Sequence, residues 1–140
     1  MSTSIQTLRQ RCYAALVSLL LSLALPLHAF AACAAAPNNA ARGQVIANGH
    51  SFTKHAAEFA NGAVINGLAF PNNNITSATQ FVPFVQGIMN APTQSKTLTG
   101  GRIAYWDAVT GTIVIFDPAS NDCGTAFRPT AGVTYYNNQT

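Results

Sequence analysis

Three groups of residues in this 140-residue chain could do chemistry. The first is the run Gly49-His50-Ser51-Phe52-Thr53-Lys54-His55, which brings two imidazoles and an amine close together. The second is Arg102, at the start of an aromatic segment. The third is Gly124-Thr125-Ala126-Phe127-Arg128-Pro129, followed by Tyr135 and Tyr136. Together they offer an acid or base, cations for a phosphate and hydroxyl donors. Cleavage of RNA by attack of the ribose 2′-OH needs such a set and no metal. One group takes the 2′ proton, another protonates the leaving 5′ oxygen, and cations and donors stabilise the charged phosphorane. Histidine suits either proton transfer because it titrates near neutrality.

Other chemistries are less well served. His50 and His55 are not on the i,i+4 stripe of a helical zinc site, and no motif supplies further ligands. There is no nucleotide-type glycine loop and no Gly-x-Ser-x-Gly elbow. Neither a metal nor a cofactor is expected. Each candidate also has an ordinary structural role open to it. His55 could satisfy a backbone carbonyl, Arg102 and Arg128 could be solvated strand residues, and Thr125 could be a simple β-former. Tyr135 and Tyr136 would face opposite sides of a strand, so at least one belongs to packing.

These groups need elements to hold them. His50–Asn61 reads as a short helix ending at Gly62, with Phe52, Ala56 and Phe59 on one inward face. Residues 63–70 read as a short strand or an ordered loop. The clearest helix starts near Ser77 or Thr79 and stops by Asn90, before Pro92. Phe81, Phe84, Val85, Ile88 and Met89 form its apolar stripe. Pro83 fits only within the first turn. Residues 93–98 read as a polar loop. Strands at 101–106 and 111–116 then make a hairpin. Residues 121–124 make a turn, and 125–128 and 133–136 give two more strands. Helices followed by an antiparallel meander predict an α+β domain.

The N-terminus reads as an export signal. Arg9 and Arg11 precede an apolar run from Ala14 to Leu27, and Ala29 and Ala31 give a small-x-small cleavage pattern. The run is short for a membrane span, which needs roughly 20 apolar residues. An uncleaved anchor, or lipidation at Cys33, are the alternatives. The expected organisation is a signal over 1–31, an alanine-rich linker over 32–48 and a domain over 49–140, secreted or periplasmic, with no stable membrane span after cleavage. The mature part then holds Arg42, Lys54, Lys96, Arg102 and Arg128 against Glu58, Asp107, Asp117 and Asp122, a net charge of +1. That excludes the dense basic surface of a duplex-DNA binder. Cys33 and Cys123 remain, and export permits a disulfide between them, although two cysteines alone do not specify a pair.

Gly49-His50-x-Phe52-x-Lys54-His55 resembles the Gly-His-aromatic-x-Lys-His opening of toxin domains at the C-termini of bacterial contact-dependent inhibition and other polymorphic toxins. The stretch from Gly101 to Tyr136 resembles the rest of such a domain: Gly-Arg, an aromatic-rich strand, a Thr-Gly hairpin, Asp-Pro, then Gly-Thr-x-Phe-x-Pro before Gly-x-x-Tyr. These domains look like members of the nuclease group that unites barnase, EndoU, colicin-type tRNases and RelE-like toxins. The resemblance implies N-terminal helices packed on a four- to five-stranded antiparallel sheet, with the active site on the sheet's open face. It implies metal-independent RNase action on RNA, including tRNA, and a cognate immunity protein. On that likeness His55, Arg102 and Thr125 would be catalytic, and His50, Lys54, Arg128 and Tyr135 would contact substrate. Two features depart from the pattern. Such domains usually end a very large delivery protein, and Cys123 stands where the pattern often has glycine. The rival expectation is a non-catalytic exported domain, on the same fold, that binds envelope material or a partner protein.

Overall fold

A computed structural model describes Cys33 and residues 35–140. The export signal and its cleavage site, expected within residues 1–31, lie outside the described residues. No helix among the described residues is long and apolar enough to cross a membrane. The architecture is α+β. N-terminal helices pack on one face of a four-stranded antiparallel sheet, and a separate two-stranded hairpin lies beside it.

The chain enters the domain earlier than its alanine-rich composition suggests. Residues 39–46, expected within a linker, form helix α1 (Asn39–Ile46). Asn38 caps it by accepting the Ala41 N–H at 3.0 Å. Ile46 and Ala47 are fully buried, so this segment is core. A wide π-helical turn (Ala47–Ser51) follows, then the short helix α2 (Phe52–His55) and a 3₁₀ turn (Ala56–Phe59). Phe59 is fully buried, as its place on the expected inward face requires.

Strands β1 (Val64–Ile65) and β2 (Leu68–Ala69) form the small hairpin around Asn66-Gly67. Helix α3 (Ala78–Asn90) starts at the Ser77 cap and ends before Pro92. It buries Phe81, Val85, Ile88 and Met89, the stripe its spacing predicts. Pro83 sits in the second turn, not the first, where its ring removes one backbone donor. Side-chain amides fasten α1 to α3: Asn39 donates to the Met89 carbonyl and Gln86 to the Ala40 carbonyl, each at 2.8 Å.

The sheet is the meander β3 (Gln94–Thr97), β4 (Ile103–Asp107), β5 (Thr112–Phe116) and β6 (Gly124–Phe127). Residues 94–97, expected as loop, form its edge strand. Their polarity is the property of an edge, where backbone pairing suffices and apolar side chains are not needed. Register sorts the side chains. Tyr105, Val114, Phe116 and Ala126 face the helices and meet Phe59, Phe81, Val85 and Met89. Each of the large apolar side chains among these contributes about 2 kcal/mol by leaving water. Ala104, Trp106, Ile113 and Ile115 face the other way, with Thr125 and Phe127.

That second face is not open. Residues 133–136, expected as the last strand of the meander, fall instead in the short helix α4 (Val133–Asn137), which lowers Tyr136 onto Trp106 and Ile113. Two conditions favour the helix. The outer edge of β6 is already met by Ser51, whose hydroxyl accepts the Ala126 N–H at 3.2 Å. The apolar second face also needs a cover. Burial pushes the Tyr136 phenol's pKa up. Lys96, on the same face of β3, donates to the carbonyls of Asn137 and Gln139 and holds the helix end.

Candidate functional site

A cleft of about 270 Å³ opens at the β5–β6 end of the covered face. His50, Arg102, Thr125 and Tyr135 line it together with Asp122. Four residues singled out from sequence therefore converge there. Two other concavities, of about 320 and 330 Å³, contain neither imidazole nor cation.

His50 reaches the cleft through the π-helical turn. Gly49 has non-helical backbone angles (φ −74°, ψ −151°) and breaks the helix there. A Cβ on Gly49 would lie 2.8 Å from the Asp122 Cβ, so only glycine lets this turn sit against the loop that carries Asp122. The His50 Nδ1 pairs with Asp122 Oδ2. An ionised carboxylate only accepts, so Nδ1 carries a proton, and in the neutral ring Nε2 is then the nitrogen with the lone pair. Burial pushes the Asp122 carboxyl's pKa up, but the hydrogen bond and charge of His50 outweigh this and leave it below the ordinary value. Ser120 Oγ adds a longer contact, 3.4 Å, to the other carboxylate oxygen.

Thr125 is delivered by β6. Gly124, with φ +124°, precedes it, and a Cβ there would fall 1.9 Å from the Ile115 carbonyl oxygen. The glycine lets β6 close on β5 and bring Thr125 to the cleft. Arg102 stands at the start of β4. Its Nε donates to the Thr99 carbonyl at 3.1 Å, and Nη2 donates to Thr99 Oγ1 and to the Thr140 carbonyl at 2.7 Å. Its Nη1 makes no hydrogen bond among the described residues, and the guanidinium still lines the cleft.

His55 is elsewhere. It does not line the cleft, and it is not buried against Phe81 or Ile88. Its ring stacks on Phe127 with centroids 5.2 Å apart, and Tyr135 meets Phe127 edge-on at the same distance. His55 Nδ1 is 2.6 Å from Glu58 Oε1, while Glu58 Oε2 accepts the Arg128 backbone N–H at 2.7 Å. His55 and His50 are thus each oriented through Nδ1 by a carboxylate, but only His50 shares a cleft with Arg102 and Thr125. Lys54 is exposed and does not line it.

Arg128 corrects the expectation of a substrate contact. It is only 2 % exposed. Its guanidinium donates to the carbonyls of Thr110, Glu58, Ala63 and Leu68 at 2.7–2.9 Å. It also lies over the Phe70 ring. These bonds join the 3₁₀ turn, the small hairpin and the β4–β5 connection, so the side chain is spent on the fold. Burial lowers its pKa, partly opposed by the charge of Glu58.

Asp122 is the residue that sequence reading passed over, because it sits inside a turn and turns often use aspartate for local bonds. The usable signal was its place beside Cys123. That cysteine is bonded to Cys33, with Cα atoms 5.2 Å apart. Among the described residues no three His, Cys, Asp or Glu side chains converge as a metal-ligand set. The cleft lining brings together one carboxylate-oriented imidazole, one guanidinium, the hydroxyl-bearing Ser120, Thr125 and Tyr135, and the carboxylates of Asp117 and Asp122. No family model matches the chain, and no curated protein matches it.

Proposed function

We propose that this chain is an exported endoribonuclease of the bacterial toxin type, which cleaves RNA through the ribose 2′-OH without a metal. One observation carries the reading: the His50 imidazole, oriented by Asp122, opens into the same cleft as Arg102 and Thr125. His50 Nε2 removes the 2′ proton. The 2′ oxygen attacks phosphorus, the P–O5′ bond breaks, and a 2′,3′-cyclic phosphate and a 5′-OH result. Arg102 and the Thr125 hydroxyl stabilise the charge that builds on the phosphorane oxygens. Asp122 keeps the proton on Nδ1 and offsets the imidazolium that forms. Tyr135, at the cleft wall, gives its proton to the leaving 5′ oxygen and is reprotonated as His50 returns to its neutral form; His55 lies outside the cleft, stacked on Phe127.

A secreted or periplasmic location, a tRNA target and a cognate immunity protein belong to the same proposal. The Cys33–Cys123 bridge supports the compartment, since disulfides persist outside the reducing cytosol. The toxin-domain resemblance supports the target and the immunity partner.

The test is cleavage of a fluorogenic oligoribonucleotide by the folded, oxidised domain in EDTA. A substrate with a single 2′-deoxy sugar at the scissile position serves as control. Cleavage of the first only, with a cyclic-phosphate product and loss in His50→Ala, is the expected result. Equal activity in His50→Ala removes the proposed base.

One observation favours the rival, a non-catalytic exported binding domain. Tyr136 plugs the sheet face and Arg102 is partly occupied by Thr140, so the face that such enzymes leave open is largely covered. Binding of RNA or a protein without cleavage under the same assay would select that reading.

A further inference from the structure

The disulfide and the cleft are the same piece of chain. Cys123 stands between Asp122, which orients His50, and Gly124, which leads into Thr125. It holds a left-handed backbone (φ +62°), uncommon for a residue with a side chain. Its carbonyl accepts the Asp117 N–H at 2.9 Å and its N–H donates to the Ser120 carbonyl at 3.2 Å, so it closes the loop that forms one cleft wall. Its sulfur is bonded to Cys33, and Cys33 Sγ lies 3.2 Å from the Ser120 carbonyl oxygen. Cys33 in turn opens a tight turn, with the Ala36 N–H on its carbonyl. Arg42 Nε donates to the Ala36 carbonyl and its guanidinium covers Phe116 at the end of β5. The bridge therefore pins the Asp122 loop to the helical layer.

We infer that the Cys33–Cys123 disulfide is a redox switch that assembles the His50–Asp122 pair, so that the cleft is competent only in the oxidised chain. The enzymatic consequence rests on the ribonuclease reading; the switch itself does not. In the reducing direction the Sγ–Sγ bond breaks, and each sulfur takes one electron and one proton from an external dithiol, which becomes a disulfide. In the assembling direction the two thiols lose two electrons and two protons to a disulfide-exchange partner. With the bond open, nothing covalent holds Cys123 in its left-handed conformation. The loop relaxes, the Asp122 carboxylate leaves Nδ1, and the His50 tautomer is no longer set. The sheet and helices have their own core and remain. Both cysteines are buried, 2 % and 0 % exposed, which protects the assembled form against casual reduction. The switch thus acts chiefly when the chain first folds. It stays off in a cytosol that keeps thiols reduced and turns on after export.

The experiment compares the oxidised protein, the same protein reduced with dithiothreitol, and Cys33→Ser. Far-UV circular dichroism and a cooperative melt report the fold. The ¹⁵N shifts of the His50 ring report its tautomer, recorded with and without Asp122→Asn. RNA cleavage is measured separately. The expected result is a retained fold in all three. In the oxidised protein Asp122→Asn changes the His50 tautomer; in the reduced protein and in Cys33→Ser it does not. Cleavage falls about 100-fold on reduction, the scale of a misplaced catalytic group. An unchanged His50–Asp122 response after reduction overturns the switch, and so does loss of the whole fold, which would make the bridge a general staple. Absence of cleavage in the oxidised protein, with the tautomer response still redox-dependent, defeats the ribonuclease reading and leaves the switch standing.

Discussion

His50 Nδ1 and the Asp122 carboxylate meet across 72 residues of sequence, one on a π-helical turn and the other on the loop between β5 and β6. The contact exists because Gly49 has no side chain to collide with Asp122. It leaves Nε2 as the imidazole nitrogen not engaged by Asp122, on a residue that shares its cleft with Arg102 and Thr125. On the proposed ribonuclease reading, proton transfer runs through His50 and depends on the carboxylate that orients it.

That dependence predicts two unequal losses. His50→Ala removes the proton acceptor and lowers kcat for RNA cleavage by roughly 10²- to 10⁴-fold, the usual contribution of a positioned acid or base. Asp122→Asn keeps the shape but can favour the wrong tautomer, and lowers kcat by about 100-fold with little change in KM. Steady-state kinetics on a fluorogenic oligoribonucleotide separate the two parameters. A loss confined to KM would assign Asp122 to binding instead.

His55→Ala gives the complementary result. Its imidazole is engaged by Glu58 and stacked on Phe127, outside the cleft. Stability falls by about 1 kcal/mol, from one aromatic contact and one hydrogen bond. Cleavage falls far less than in His50→Ala. Parallel urea titrations and rate measurements decide this, and a deeper loss of rate in His55→Ala than in His50→Ala would exchange their roles.

Arg128→Lys behaves as a folding mutation. Four backbone carbonyls face the guanidinium, and a lysine has three donors on one nitrogen with no planar fork. The substitution costs about 3 kcal/mol or more, because buried carbonyls lose their partner and the new charge is poorly met. The observable is a lower denaturation midpoint, with Lys54→Ala unchanged beside it because Lys54 is exposed.

Acid titration reads the Asp122 pair directly. The folded-state pKa of Asp122 lies below the ordinary aspartate value, held there by His50 against the opposing effect of burial. The folded state therefore binds that proton less readily than the unfolded chain. The resulting stabilisation is fully present above about pH 4 and is lost as pH falls through the lower, folded value. Unfolding followed between neutral pH and strong acid should show a steeper loss of stability for the native protein than for Asp122→Asn. Parallel curves would mean that the pair adds nothing to folding.

Local patterns in the sequence were enough for the elements whose signal is local. Phe81 to Met89 repeat at helical spacing, Ser77 can cap and Pro92 must stop the helix, so α3 was legible. The β4–β5 hairpin was legible from its β-branched and aromatic arms around residues 107–110. Residue types pointed to His55, Arg102 and Thr125 as the converging set, with His50, Lys54, Arg128 and Tyr135 beside them; the cleft gathers His50, Arg102, Thr125 and Tyr135 and leaves out His55, Lys54 and Arg128. Cys33 and Cys123 were legible as partners that export would permit. Tertiary structure decided what depends on neighbours far away in the chain. Residues 94–97 are a strand because β4 offers an edge, and residues 133–137 are a helix because Ser51 occupies the β6 edge and an apolar face needs Tyr136. Arg128 is structural because four carbonyls from three segments surround it. Most consequentially, two histidines five positions apart look alike in sequence, and only the fold gives His50 the Asp122 carboxylate and the cleft while turning His55 toward Glu58 and Phe127. Residue types and their spacing determine which chemistry is available; long-range packing selects the atoms that could perform it.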